Sequence, residues 1–338
     1  MWLSGLKWMF LIMGTIIGAG YASGRELWQF FGPESGLAIT IFAVCFSICC
    51  TIIMKISKKL NTTHYIPLLE QLVGRKLTKI YDYMIMVYLF TTTAVMLAGG
   101  GATLEIVNVP YVIGIAIISL LVICIFFWDT KGILSINAIL IPLLSISLIA
   151  ILGFFYSTTP ASELTLSVEL ANWPAAFTFT ALNILPLVAI LGAVGSEIKT
   201  EGEIWIASLG SGVILGGISL LYNESLVKVA NDIMFYEIPL FAILKQYPYI
   251  MIIFMSVLLW AAIYTTAVSG VFGLTSRFRG KTKLSTWIVA GITILFMLPF
   301  TTFGFSTLVS FLYPIYGMLN LYILAAIIIY PIAMNAKS

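Results

Sequence analysis

The chain has 338 residues, 61% of them hydrophobic and 9% charged, with a formal net charge of +3 and a mean hydropathy of +1.08. A soluble domain is nearer about a quarter charged. The composition therefore describes an all-α polytopic membrane protein and leaves no room for a soluble domain. It offers no nucleic-acid-binding surface and no phosphate-binding loop of the kind that drives a primary pump.

A membrane crossing needs roughly 20 apolar residues. Ten such runs follow one another at about 4–31, 35–57, 79–100, 109–128, 132–156, 173–196, 203–227, 248–275, 284–302 and 306–334. The first is too long for a signal peptide, and no cleavage-type site follows it. Within it lies "GTIIGAGYASGRE", in which Gly14, Gly18, Gly20 and Gly24 weaken a helix and Arg25 and Glu26 bring charge to apparent membrane depth. The four cysteines, Cys45, Cys49, Cys50 and Cys124, lack metal-ligand spacing and read as small buried hydrophobes.

Between runs two and three, residues 58–78 read as the longest inner loop, with the only histidine, His64, solvated in it. Residues 157–172 carry Glu163 and Glu169 and no basic residue. Residues 223–247 are too polar to span and too apolar for a free loop, and read as a helical loop lying over the bundle. Trp2, Trp8, Trp28, Trp128 and Trp173 sit near span ends, as an interfacial belt requires.

With ten spans the basic residues segregate. Lys7, Lys55, Lys58, Lys59, Arg75, Lys76, Lys79, Lys131, Lys199, Arg277, Arg279, Lys281, Lys283 and Lys337 share one side, 14 of the 17. The positive-inside rule makes that side cytoplasmic and puts both termini inside.

Ten spans divide into repeats over 1–156 and 173–338, whose first helices run in opposite directions. Inverted repeats with interrupted first helices are the plan of many secondary transporters. Both first helices carry breakers. Span 1 has its glycines, and span 6, "TFTALNILPLVAILGAVGSE", has Asn183 and Pro186. Gly14, Gly18 and Gly24 could alternatively form a close-packing face, and Pro186 a simple kink. Gly20, two residues from Gly18 and on another side of the helix, favours an unwound turn. A helix broken at Gly18–Gly20 exposes N–H donors that suit an anionic group and carbonyls that suit a small cation. Arg25 and Glu26 would follow in the outer half-helix as a gate or mutual ion pair, or snorkel to the interface.

"GTIIGAG" resembles the unwound first-helix motif of the amino acid–polyamine–organocation superfamily, which has the ten-span LeuT-type fold. Taken with "ALNILPLVAILGAVG", the stretch "GTIIGAGYASGRELWQFFG" resembles the YkvI-like bacterial membrane proteins, which are more distantly similar to germination permease-like subunits. The resemblance implies a bacterial cytoplasmic-membrane protein, monomeric by default, whose partners are the lipid bilayer and a small solute. It implies a substrate pocket lined by Gly18, Ala19, Gly20, Tyr21, Tyr88, Thr91, Thr180, Asn183 and Ile184. It also implies a sodium site. The run "WAAIYTTAVSG" matches the family's span-8 pattern at Ala262, Thr265 and Thr266, with Gly14 and Ile17 supplying carbonyls from span 1. Alternatively, the two threonines bond back to their own helix. Span 5 has no lysine at membrane depth, unlike some proton-coupled relatives, although Glu26, Asp82 or Glu197 could carry a proton. With no acidic residue placed at the midplane, a neutral zwitterion is expected rather than a polyamine.

The resulting expectation is a secondary transporter of a small amino-acid-like zwitterion. It has no resident cofactor, and sodium is its candidate coupling ion. A permease-fold receptor that binds without transporting is the alternative. No metal cluster or nucleophile–base pair suggests an enzyme.

Overall fold

A computed structural model describes residues 2–33, 35–127, 131–160, 172–278 and 284–335. The expected loop at 157–172 falls largely outside them. The first apolar run forms three pieces rather than one helix: α1 (Trp2–Ile16), α2 (Ala19–Ala22) and α3 (Arg25–Phe30). Then come α4 (Gly36–Lys59), α5 (Tyr65–Glu105), α6 (Tyr111–Ile125), α7 (Lys131–Thr158) and α8 (Pro174–Ala193). The remainder is α9 (Glu201–Lys228), α10 (Ala230–Ile233), α11 (Leu240–Leu244), α12 (Tyr249–Phe278), α13 (Thr286–Thr301), α14 (Phe305–Leu319) and α15 (Leu321–Asn335).

Among the described residues, seven helical stretches are long and apolar enough to cross a membrane, and the shorter apolar helices α1, α6 and α13 complete ten. The tenth stretch is interrupted once, at buried Asn320 between α14 and α15. The chain is thus a multi-span membrane protein, and its span count follows from the apolar runs.

Two connections differ in character. The inner loop expected at 58–78 is largely helical, because α5 begins at Tyr65 and bends at Gly74, whose φ is +79°. Leu68 and Leu69 are fully buried, so this short segment packs an apolar face against the bundle. The expected covering loop at 223–247 is present only from Val229, because α9 runs on to Lys228. In α11 all five residues are buried, and the Leu240 amide donates to the Ser23 carbonyl at 3.0 Å, tying this loop to the broken helix.

Helix α1 lies along α9, α4 packs between α8 and α9, and α5 lies against α12. Small residues set the closest approaches. A side chain at Gly212 would meet Ser47 and the Ala43 carbonyl across the α4–α9 seam. The end of α3 is fixed by aromatic packing: Phe31 meets Phe179 at 4.9 Å between centroids, and Phe42 meets Phe179 at 4.8 Å.

Lys7 pairs with Glu197 at 3.1 Å, and Lys58 with Glu201 at 2.9 Å. These contacts put the start of α1, the end of α4 and the α8–α9 junction at one end, the lysine-rich end. Lys228 instead donates to the Tyr156 and Thr159 carbonyls at 2.8 and 2.6 Å, at the other end.

Gly24 joins α2 to α3 with φ +77°, and a Cβ there would lie 2.8 Å from the Tyr222 ring. Gly24→Ala should therefore lower stability by about 1–3 kcal/mol through strain and overpacking. Gly217 sits inside α9 with open space around its Cβ position, so Gly217→Ala should hold or raise stability. Thermal unfolding of both variants in the same detergent is the check. Equal midpoints would mean that the left-handed turn bears no strain.

Candidate functional site: a cavity on the broken first helix

The break has a backbone signature. In a continuous helix the Gly18 amide would donate to the Gly14 carbonyl. It donates instead to Ile16 at 2.7 Å, and Gly18 adopts an extended conformation, φ −86° and ψ −174°. Helical bonding resumes only when the Ala22 amide reaches the Gly18 carbonyl at 2.9 Å. The carbonyls of Gly14 and Ile17 thereby lose their helical donors, and the amides of Ala19, Gly20 and Tyr21 lose their helical acceptors.

The glycines separate by role. A Cβ at Gly14 would meet only Ile141, at 3.7 Å, and one at Gly18 only the Thr266 hydroxyl, at 4.0 Å. Neither position is a close helix–helix contact, so the packing-face alternative fails for both. Each borders a cavity of about 920 Å³. A Cβ at Gly20 would overlap the Glu26 carboxylate.

The cavity runs from Lys7 and Phe10, both exposed at the lysine-rich end, inward to Gly20 and Glu26. Helices α5, α8 and α12 complete its wall, with Tyr88, Asn183, Thr266 and Ser269 among the polar contributors. Pro186 also lines it. The interruption in α8 is milder than in α1: the helix continues through Pro186, and the ring removes one amide donor.

The structure gathers part of the expected substrate set. Gly18, Ala19, Gly20, Tyr88 and Asn183 line the cavity. Asn183 donates from Nδ2 to the Phe179 carbonyl at 2.8 Å, leaving its Oδ1 without a protein donor. Tyr21, Thr91, Thr180 and Ile184 do not line it. Tyr21 is fully buried in the opposite direction, its hydroxyl 3.0 Å from the Leu215 carbonyl and 2.8 Å from Ser219 Oγ on α9. Thr91 is bonded to the Tyr316 hydroxyl at 2.7 Å, Thr180 donates to the Ala176 carbonyl at 2.6 Å, and Ile184 is packed in the core.

Of the candidate ion ligands, Gly14 and Thr266 border the cavity, while Ile17, Ala262 and Thr265 lie buried behind them. Both threonine hydroxyls donate to the Ala262 carbonyl, at 3.1 Å from Thr265 and 2.8 Å from Thr266. Each donating hydroxyl still has lone pairs free to accept a cation.

Arg25 and Glu26 form no ion pair with each other. Arg25 lies in the field of Glu237, and its buried Nε has no hydrogen-bond partner. Glu26 turns the other way, over Gly20 and into the cavity, and is 8% exposed. The expected vestibule gate is therefore split, and the expectation of no acidic side chain at the pocket is corrected. Tyr313, from α14, is a further wall residue absent from the sequence expectation.

No family model matches the chain. It is 52% identical over 340 residues to YyaD of Bacillus subtilis strain 168, with both chains fully covered. It is 25% identical over 329 residues to the membrane protein YkvI of the same strain, covering 94% of each. Among solved structures, MhsT in complex with L-phenylalanine aligns over 98% of this chain and 97% of its own, with TM-score 0.66 and 16% identity. A Na+-coupled sialic acid symporter aligns over 93% and 75%, with TM-score 0.62 and 14% identity. An Eremococcus coleocola manganese transporter aligns over 87% and 70%, with TM-score 0.56 and 14% identity. The broken first helix, the cavity upon it and the full-length match to YyaD have one reading: the chain belongs to the YyaD and YkvI family and has the LeuT-type membrane fold.

Proposed function

We propose that this protein is a secondary transporter that moves a small amino-acid-like zwitterion across the bacterial cytoplasmic membrane by alternating access, with sodium as its coupling ion. The observation that carries this reading is the break at Ile17–Gly18. It frees backbone groups beside a cavity of about 920 Å³ in the middle of a membrane bundle. Unpaired backbone at such depth persists only where it meets protein or a polar cavity. The neighbours lend support: MhsT is described with L-phenylalanine and the sialic acid symporter as Na+-coupled.

In this reading the repeats are 1–156 and 173–338, the lysine-rich end faces the cytoplasm, and both termini are inside. The described conformation is then open to the cytoplasm and sealed outside by α11 and the aromatic cluster around Phe179. The Gly14 and Ile17 carbonyls, the Ala262 carbonyl and the Thr265 and Thr266 hydroxyls are the candidate sodium ligands. They are neutral oxygens, suited to a hard monovalent ion.

A thermal-stability screen of the purified protein with amino acids, in sodium and in choline, tests binding and coupling together. A ligand at a hundred times its dissociation constant adds about 2.7 kcal/mol to the folded state. Stabilisation by an amino acid should require sodium, and the Thr265→Ala, Thr266→Ala double variant should lose that requirement. Sodium dependence surviving in the double variant overturns the ion site. Uptake of the stabilising solute into proteoliposomes then separates transport from a receptor that binds without flux.

The orientation is tested by thiol chemistry. Ser269 is exposed within the cavity, whereas Cys45, Cys49 and Cys50 are buried. In a Cys124→Ser background, Ser269→Cys should react with a membrane-impermeant maleimide added from the cytoplasmic side and be shielded from outside. Faster reaction from outside would reverse the assignment.

A further inference from the structure

Among the described residues Glu26 is the one acidic side chain lining the cavity, and its position is built rather than incidental. The side chain is 8% exposed, yet it makes no hydrogen bond or ion pair with any described residue. The adjacent Arg25 lies in the field of Glu237, and Lys7 stands at the far, exposed end of the cavity, paired with Glu197 at 3.1 Å. A carboxylate held at membrane depth without a partner is costly. Room for it is made by Gly20, where any Cβ would overlap it.

Its surroundings name a partner chemistry. Tyr88 and Tyr313 line the same cavity and lie within the electrostatic reach of Glu26. Their hydroxyls make no hydrogen bond to a described residue. A carboxylate beside aromatic rings attracts an ammonium group, through charge and through the ring faces. Hydroxyls next to it can accept further N–H donors.

Building on the transporter reading above, we propose that Glu26, flanked by Tyr88 and Tyr313, is the counter-charge for the ammonium group of the solute. The cavity then requires a cationic nitrogen. It accepts amino acids and amines and rejects carboxylates that lack an amine. This assigns Glu26 to solute recognition rather than to an outer gate.

The test uses matched triads: leucine, isopentylamine and 4-methylpentanoate, and likewise phenylalanine, phenethylamine and 3-phenylpropanoate. Binding is read by thermal stability and isothermal titration with the full-length protein and with Glu26→Gln and Glu26→Asp. Uptake into proteoliposomes is read separately. The expected result is binding by members of the amine-bearing pairs and none by the carboxylates. Affinity should fall at least tenfold in Glu26→Gln and recover in part in Glu26→Asp. Since Gln is nearly isosteric with Glu, Asp rescue would show that charge and not shape is read.

Binding by 4-methylpentanoate or 3-phenylpropanoate overturns the proposal. So does equal amine affinity in Glu26→Gln, or the absence of binding by every amine to the wild type. Stabilisation by sodium alone that disappears in Glu26→Gln would place the metal ion at Glu26 and also overturn it. Amine binding that depends on Glu26 but is never followed by uptake upholds the proposal while overturning transport. Uptake of a solute without an amine does the reverse, so the two readings fail separately.

Discussion

The structure depends on one constraint: in hydrocarbon, no water is available to satisfy a backbone group that the helix leaves unpaired. The Ile17–Gly18 break violates helical bonding at a depth where that is costly. The second half of the chain braces the segment beyond the break, without pairing the groups that the break frees. From α9, Tyr21 is held at Leu215 and Ser219, and the Tyr222 hydroxyl donates to the Ala22 carbonyl at 2.9 Å. Asn223 Nδ2 donates to the Gly32 carbonyl at 2.8 Å, and the Leu240 amide reaches Ser23. Each bond is worth about 1 kcal/mol. Together they splint a segment too short to be stable by itself.

That splint lies on one side of the break. The bonds from α9 and α11 all fall beyond the break, on α2, α3 and the turns around them. On the other side of the break, α1 packs along α9, and its lysine-rich end is fastened by the exposed Lys7–Glu197 pair and by the buried Trp8 Nε1–H, which donates to Glu203 Oε2 at 3.3 Å. A surface ion pair contributes little, at most about 1 kcal/mol. The two parts of the first span are therefore anchored differently: the part beyond the break by polar bonds to its backbone and side chains, and α1 by packing along α9. The cavity opens along α1.

Much of this was legible in the sequence. Ten crossings follow from apolar runs, the break from Gly18 and Gly20, and the covering loop from the mixed polarity of 223–247. What stayed hidden was direction. Helical phase cannot be carried through a non-helical residue, so the extended Gly18 and left-handed Gly24 each reset the rotation of everything after them. Tyr21 therefore read as a pocket residue and turned to α9, while Glu26 read as a vestibule group and turned inward. Thr180 and Ile184 failed for a different reason. They lie on the same helix as Asn183, and only one face of α8 meets the cavity. The helix at Tyr65 was obscured because its mostly apolar run, residues 65–73, is too short to span a membrane and is followed by Gly74, Arg75 and Lys76.

The break also orders the charge along a short path, and that order bears on the proposed solute. Carbonyl oxygens at Gly14 and Ile17 come first, then the amides of Ala19 and Gly20, then the Glu26 carboxylate above Gly20. The potential runs negative, positive, negative. Its complement is a cation, an anion and a cation in the same order: a monovalent ion, a carboxylate and an ammonium. A zwitterion with one sodium ion is that set. Added to ionised Glu26, its charges sum to zero. A closed cavity with neutral contents can pass through a low-dielectric occluded state without the desolvation cost of a net charge. Under the proposed reading, Glu26 would do more than select an ammonium. It would also offset the charge of a sodium ion, which the neutral oxygens around Thr266 leave unbalanced.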